Sequence, residues 1–177
     1  MRKLFNIYVS LIVLASIMSS CDWLKSKSDH NPDIYASYFY VNPVFEGDSI
    51  ISAKDTLHLF HTEQENTYRL DSLAIGDTVL FAATYYTYEQ DLISVIIDWD
   101  STLMDLNVDV NAEIAQLLTS KSNVAGGQLY FNPGFNSVTF PCNFSAKAHG
   151  LLPLTLMVAS TSQFSPTKVY FTIPVKR

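Results

Sequence analysis

Thr78-Val79-Leu80-Phe81-Ala82-Ala83-Thr84-Tyr85 decides the fold. Val79, Phe81, Ala83 and Tyr85 point one way from an extended chain, and Gly76-Asp77 just ahead supplies a turn. Period two, with β-branched and aromatic residues throughout, predicts a half-buried strand rather than a helix. The same alternation recurs downstream. Ile93, Val95, Ile97 and Trp99 form one predicted face, with Ser94 and Asp98 opposite. After a Gly126-Gly127 turn, Leu129 and Phe131 alternate. Val138, Phe140, Cys142, Phe144 and Ala146 then oppose Thr139, Asn143 and Ser145. Gly150 opens a strand carrying Leu152, Leu154, Leu156 and Val158, and the last strand carries Val169, Phe171, Ile173 and Val175. Upstream, residues 35–41 and 57–61 read as strands of weaker pattern.

The one helical piece spans residues 111–118, where Ile114, Leu117 and Leu118 share a side and Asn111 can cap. Two turns of helix in that position predict a crossover between sheets. Strands joined by short turns, with no βαβ rhythm and no internal repeat, predict an all-β fold, an antiparallel β-sandwich of about 7–9 strands. A barrel is the alternative. Pro141 and Pro153 fall inside strands, which predicts edge strands or bulges there, because proline cannot donate to a ladder.

Bulk composition narrows the function. The 177 residues are 48% hydrophobic and 16% charged, with a net charge of −6. A disordered chain would lack that apolar content, and an acidic chain with scattered lysines repels phosphate backbones. Nucleic acid is therefore not an expected partner. A domain of about 150 residues buries roughly 68–70% of its unfolded surface, enough to stand without disulfides. Only Cys21 and Cys142 are present.

Arg2 and Lys3 are followed by an apolar run over residues 4–18, broken only by Asn6, Ser10 and Ser16. About 15 residues fall short of the roughly 20 that span a bilayer but fit the apolar region of a signal peptide. Met18-Ser19-Ser20-Cys21 closes it. Here the chain resembles the bacterial lipoproteins, whose lipobox ends in the cysteine that receives diacylglycerol; Met18 stands where leucine is usual. The resemblance implies cleavage after residue 20, lipid on Cys21 and a place in the bacterial cell envelope, the outer membrane favoured over the inner. Each buried methylene contributes about 0.8 kcal/mol, so two or more acyl chains hold a protein on a membrane durably. Residues 21–33 then read as the lipidated cysteine and a polar tether, and residues 34–177 as one domain.

A second resemblance rests on Leu73-Ala74-Ile75-Gly76-Asp77-Thr78-Val79-Leu80-Phe81 and on segments 150–160 and 169–175. These are similar to the strands and final hairpin of immunoglobulin-like domains of bacterial surface proteins, with Trp99 where such domains often bury a tryptophan. No cysteine pair flanks Trp99 and no tyrosine corner is present. The resemblance implies architecture and no activity.

Candidate chemistry is sparse. Asp98, Asp100, Asp105 and Asp109 crowd the exit of the Trp99 strand and offer hard oxygen ligands for a cation such as Ca²⁺, yet the EF-hand order and its glycine are missing. On that mismatch a solvated loop is the preferred reading. His58 and His61 are spaced to face opposite ways on a strand, and no Cys-x-x-Cys or His-Glu-x-x-His spacing occurs. No Gly-x-Ser-x-Gly elbow is present, and Cys142 alternates with phenylalanines as a core thiol would. Two tyrosine groups stand out, Tyr35, Tyr38 and Tyr40, and Tyr85, Tyr86 and Tyr88. Of these, Tyr38, Tyr40, Tyr86 and Tyr88 are the binding candidates, since exposed aromatic faces stack on sugars or anchor proteins; the preferred alternative is that half of each alternating set is core and the rest scattered surface. The expectation is a membrane-tethered, non-enzymatic binding, adhesion or accessory module without a cofactor, for a protein or glycan ligand. A small envelope hydrolase with a dispersed site and a purely structural envelope protein are the alternatives.

Overall fold

The computed structural model describes residues 30–176; the leader, Cys21 and tether residues 21–29 lie outside that range. In chain order the strands are β1 (Asp33–Val41), β2 (Val44–Glu46), β3 (Ser49–Ser52), β4 (Asp55–Thr56), β5 (Leu59–His61), β6 (Thr67–Leu70) and β7 (Leu73–Ala74). They continue with β8 (Thr78–Tyr86), β9 (Leu92–Trp99), β10 (Met104–Val108), helix α1 (Ala112–Leu117), β11 (Gln128–Tyr130), β12 (Ser137–Ala146), β13 (Gly150–Ser160) and β14 (Thr167–Lys176). Two sheets stack. The first runs β10-β12-β8-β1-β4, the second β11-β9-β13-β14-β6-β5 with β7 also on β14. The fold is an all-β sandwich. Among the described residues no helix is long and apolar enough to cross a membrane.

Alternation builds the layers. In β8, Val79, Phe81, Ala83 and Tyr85 are all buried while the residues between them are not. Phe140, Cys142 and Phe144 of β12 join them from the same sheet, and Leu152, Leu154, Leu156, Phe171 and Ile173 meet them from the second. Phe39 of β1 stacks on Phe81 at 5.0 Å between centroids and meets Phe171 across the layers at 5.6 Å. Full burial of each such side chain contributes about 1.5–3 kcal/mol. Asn111 caps α1, its side chain accepting from the Ile114 amide at 2.9 Å, and α1 carries the chain from the first sheet to the second.

Four expectations need correction. The sandwich is not wholly antiparallel: β14 pairs in parallel with β6 and β7. Pro141 and Pro153 lie on interior strands, not edges. The Pro141 carbonyl accepts from the Asp109 amide, so its nitrogen faces the same side, just past the point where the β10 pairing ends at Val108. Pairing of β13 with β9 likewise starts only at Leu154. Each proline sits at the end of the paired stretch on one side, where a missing donor costs least. In β9, Ser160 pairs with Leu92 and Ala159 with Ser94, which leaves Ile93 as an extra residue. That bulge turns Ile93 outward and Leu92 and Ser94 inward, and Trp99 is only half-buried. Finally, Asp105 belongs to no loop. It stands on the outer face of β10, opposite Ser145.

Tyr85 is fully buried, stacked on Phe140 at 5.2 Å, and its hydroxyl finds no hydrogen-bond partner among the described residues. Burial, and secondarily the Cys142 thiol, pushes its phenol well above the usual 10. Cys142 is fully buried. Burial, with Asp109 nearby, raises its thiol to about 12, as an inert core thiol requires.

Candidate functional site

Along β1 the alternation slips once. Ser37 pairs with Ala82 and Tyr40 with Leu80, so β1 carries one more residue than β8 across that step, a β-bulge. Tyr38 absorbs the extra residue at φ 59°, a left-handed backbone that costs a tyrosine about 1–2 kcal/mol. Before the bulge, Tyr35 faces out while Ile34 and Ala36 pack on the core. After it, Phe39 and Val41 face in, and Tyr38 and Tyr40 face out. The slip therefore gathers three tyrosines on one outer face that strict alternation would divide. The Tyr38 and Tyr40 rings lie 6.0 Å apart with planes 12° from parallel, and Tyr38 is 64% exposed.

Beside this pair runs a groove of about 260 Å³, floored by Leu80, Ala82 and Pro141 and walled by Tyr38, Tyr40 and Ile50. Ile50 comes from the β2–β3 hairpin, where it stands opposite Phe45; directly opposed residues of an antiparallel pair project to the same face. Shared walls extend the groove in both directions. Tyr40 and Ile50 also border a depression of about 490 Å³ that reaches Ser52, Asp55 and Thr56. Leu80 also borders one of about 450 Å³ with Phe45, Thr78 and Asn143. Among the described residues no lysine or arginine lines any of the three.

The hairpin is tied down at its base. Asn42, at φ 48°, precedes it and Lys54 follows it, and both reach Asp77 at the entry of β8. The Asn42 side-chain amide donates to Asp77 Oδ1 at 2.7 Å, Lys54 Nζ to the same oxygen at 2.8 Å and to Oδ2 at 3.1 Å, and the Ala74 amide to Oδ2 at 3.0 Å. Asn42 Oδ1 in turn accepts from the Thr78 amide at 2.8 Å. Burial alone would raise the Asp77 carboxyl. The Lys54, Ala74 and Asn42 hydrogen bonds and the Lys54 charge outweigh it and hold the group below its usual 3.8.

The four candidate tyrosines divide. Tyr38 and Tyr40 line the groove, whereas Tyr86 and Tyr88 form a second cluster with ring centroids 4.7 Å apart. Leu80 and Tyr86 are six positions apart on β8, which sets the clusters roughly 20 Å apart at about 3.3 Å per residue. Tyr88 is not free to bind: its hydroxyl donates to the Asp33 carboxylate, a bond that leads the causes raising its phenol to about 12. Its ring also meets His30 at 4.9 Å. Tyr88 therefore clasps the start of β1.

The aspartates do not converge. Asp98 lies exposed on β9 of the second sheet. Asp100 accepts from the Thr102 hydroxyl at 2.6 Å and amide at 2.9 Å, the contacts that lower its carboxyl. Asp105 pairs with Lys147 at 3.0 Å. Among the described residues no group of three or more His, Cys, Asp or Glu side chains could hold a metal ion. His58 instead pairs with Asp71 at 2.9 Å, and His61 packs on Tyr68 at 4.6 Å.

The hairpin and the groove floor escaped the sequence reading. A signal was present: Val44-Phe45-Glu46-Gly47-Asp48-Ser49-Ile50-Ile51 places a Gly-Asp turn between two apolar pairs, and Gly47 takes φ 59°. Nothing local says where the hairpin lies down.

No family model matches the chain, and no curated protein matches it either. Among solved structures it is similar to a family 123 glycoside hydrolase from Clostridium perfringens, at TM-score 0.44 and 7% identity over 83% of this chain and 28% of that one. It is also similar to the secreted serine protease VesC from Vibrio cholerae, at TM-score 0.38 and 10% identity over 67% and 23%. A third likeness is to the CooA pilin subunit from enterotoxigenic Escherichia coli, at TM-score 0.30 and 10% identity over 69% and 98%. The chain spans less than a third of the length of the first two.

Proposed function

We propose that this chain is an immunoglobulin-like lipoprotein of the bacterial cell envelope, held by lipid on Cys21, that binds a ligand and catalyses nothing. The groove beneath the β2–β3 hairpin is its binding surface. One observation carries the reading: a strained bulge at Tyr38 turns a parallel pair of tyrosines outward beside an apolar floor roofed by Ile50. Tyr88 takes a similar φ of 56° but spends its hydroxyl on Asp33, whereas Tyr38 leaves its ring exposed beside the groove; strain of that kind concentrates where a surface is shaped for a task. The volumes of the groove and its extensions fall near the roughly 300–1,000 Å³ of small-ligand sites.

Two arms test the proposal. Replacing Cys21 with Ala should move the protein from the membrane to the soluble fraction and abolish lipid labelling; unchanged fractionation and labelling overturn the anchor. Detergent-solubilised full-length chain, immobilised and exposed to envelope extract, should retain material that the Tyr38→Ala/Tyr40→Ala variant does not. Equal retention by both overturns the groove as the binding surface.

A further inference from the structure

We infer that the groove takes an uncharged oligosaccharide, laid along the outer face of the first sheet with sugar rings against Tyr38 and Tyr40. This inference rests on the groove being the binding surface and names the class of its ligand.

The charge around the groove is the first argument. Among the described residues its walls carry one carboxylate, Asp55, and one histidine, His58, with no lysine or arginine. Lys54, next in sequence to the groove residue Asp55, is engaged by Asp77. An anionic polymer or a phosphate would find no counter-charge, and the protein's own net charge of −6 would repel it. An uncharged ligand meets no such penalty.

Backbone chemistry separates a glycan from a peptide in β-strand form. A peptide strand docks by adding to a free sheet edge, where its amides and carbonyls are satisfied. The floor of this groove instead lies on interior strands: β8 is flanked by β12 and β1, and β12 by β10 and β8, while β4 covers β1 only at Tyr40 and Val41. The backbone polar groups beneath it are spent on neighbouring strands. A peptide lying on Leu80, Ala82 and Pro141 would bury main-chain groups without partners, at a cost of about 1–3 kcal/mol for each.

A sugar ring divides its chemistry differently. Its C–H faces are apolar and its hydroxyls project from the rim. The centre of the groove is aromatic and aliphatic, which suits the C–H faces. Neutral hydrogen-bonding side chains lie at the two ends, Ser52 and Thr56 at one and Thr78 and Asn143 at the other. Polar groups at both ends of an apolar middle suit several linked units better than a single sugar.

The test uses the full-length chain in detergent and an array of uncharged oligosaccharides, namely glucans, mannans, xylans and galactans of four to eight units as probes, with hyaluronan and sulfated glycans as charged controls. The expected result is binding to one or more uncharged oligosaccharides, insensitive to salt. Tyr38→Ala and Tyr40→Ala should each weaken it about tenfold or more, while Tyr86→Ala leaves it unchanged. Matching circular dichroism spectra establish that the variants fold. Binding confined to charged glycans, or uncharged binding indifferent to both tyrosines, overturns the inference. If no glycan binds but a protein from envelope extract is retained by wild type and lost with Tyr40→Ala, the oligosaccharide fails while the groove stands. If neither is retained, both fail.

Discussion

Strands β8 and β12 each present two unlike faces to their surroundings. Inward, Phe81, Ala83, Tyr85, Phe140, Cys142 and Phe144 are buried against the second sheet. Outward, Leu80, Ala82 and Pro141 form the floor of an open groove. The two faces are built from alternate residues of the same segments; the groove floor is apolar like the inner face, though Thr78, Thr84, Thr139, Asn143 and Ser145 around it are polar, and the two apolar surfaces do different work. The inner face is closed by a layer of matching side chains and contributes stability. The outer face is covered only at its margin, by a three-residue and a four-residue strand tied through Asp77. Apolar character alone therefore does not mark core: what decides is whether another layer covers it.

The sharpest way to separate the faces is to damage the inner one. Phe140→Ala removes a fully buried ring stacked on Tyr85 and should cost about 3–5 kcal/mol. Chemical denaturation should show the lower midpoint, with ligand affinity of the folded fraction unchanged at low temperature.

A middle-sized effect is expected at the tie between them. Asp77→Asn keeps the shape but loses the ion pair and its charge-assisted hydrogen bonds, a loss of roughly 1–3 kcal/mol. Lys54 is 56% exposed against 11% for Asp77, so solvent screens the ion pair and most of the loss comes from the hydrogen bonds. The sign with pH follows from the depressed carboxyl. Because the folded value lies below the unfolded value near 3.8, the contribution is complete above the unfolded value. It disappears as pH falls through the folded one. Stability of wild type and Asp77→Asn, measured from pH 7 to pH 2, should therefore converge below about pH 4. A constant gap across that range contradicts the assignment.

The smallest effect has the opposite sign. Tyr38→Gly relieves the left-handed backbone at φ 59° and should leave stability unchanged or raise it by up to about 1 kcal/mol. Ligand binding should fall at the same time. A thermal melt paired with a binding titration checks both, and a variant that loses stability instead removes the argument from strain.

The inner face was legible from the chain because period two is a local property. Every alternating set in β8, β12, β13 and β14 is buried as its spacing predicts, and Asn111 caps α1 as expected. Where the period breaks, the reading broke with it. The extra residue at Ile93 reversed the faces at the start of β9, and two interior prolines passed for edge markers because neighbouring strands end beside them. Of the groove, Tyr38 and Tyr40 were visible as candidates. Tyr88 was visible too, yet it is committed to Asp33.

The residues by themselves determined that this chain builds strands, which side chains those strands bury, and that Cys142 sits among phenylalanines. Tertiary structure alone decided that Tyr38 and Tyr40 share a groove with Pro141, about a hundred positions away in the chain, under a hairpin held by Asp77. The physical reason is range. Alternation is settled by steric and solvation preferences between near neighbours, whereas the groove depends on strand order, on a one-residue slip in register, and on where a short hairpin lies down.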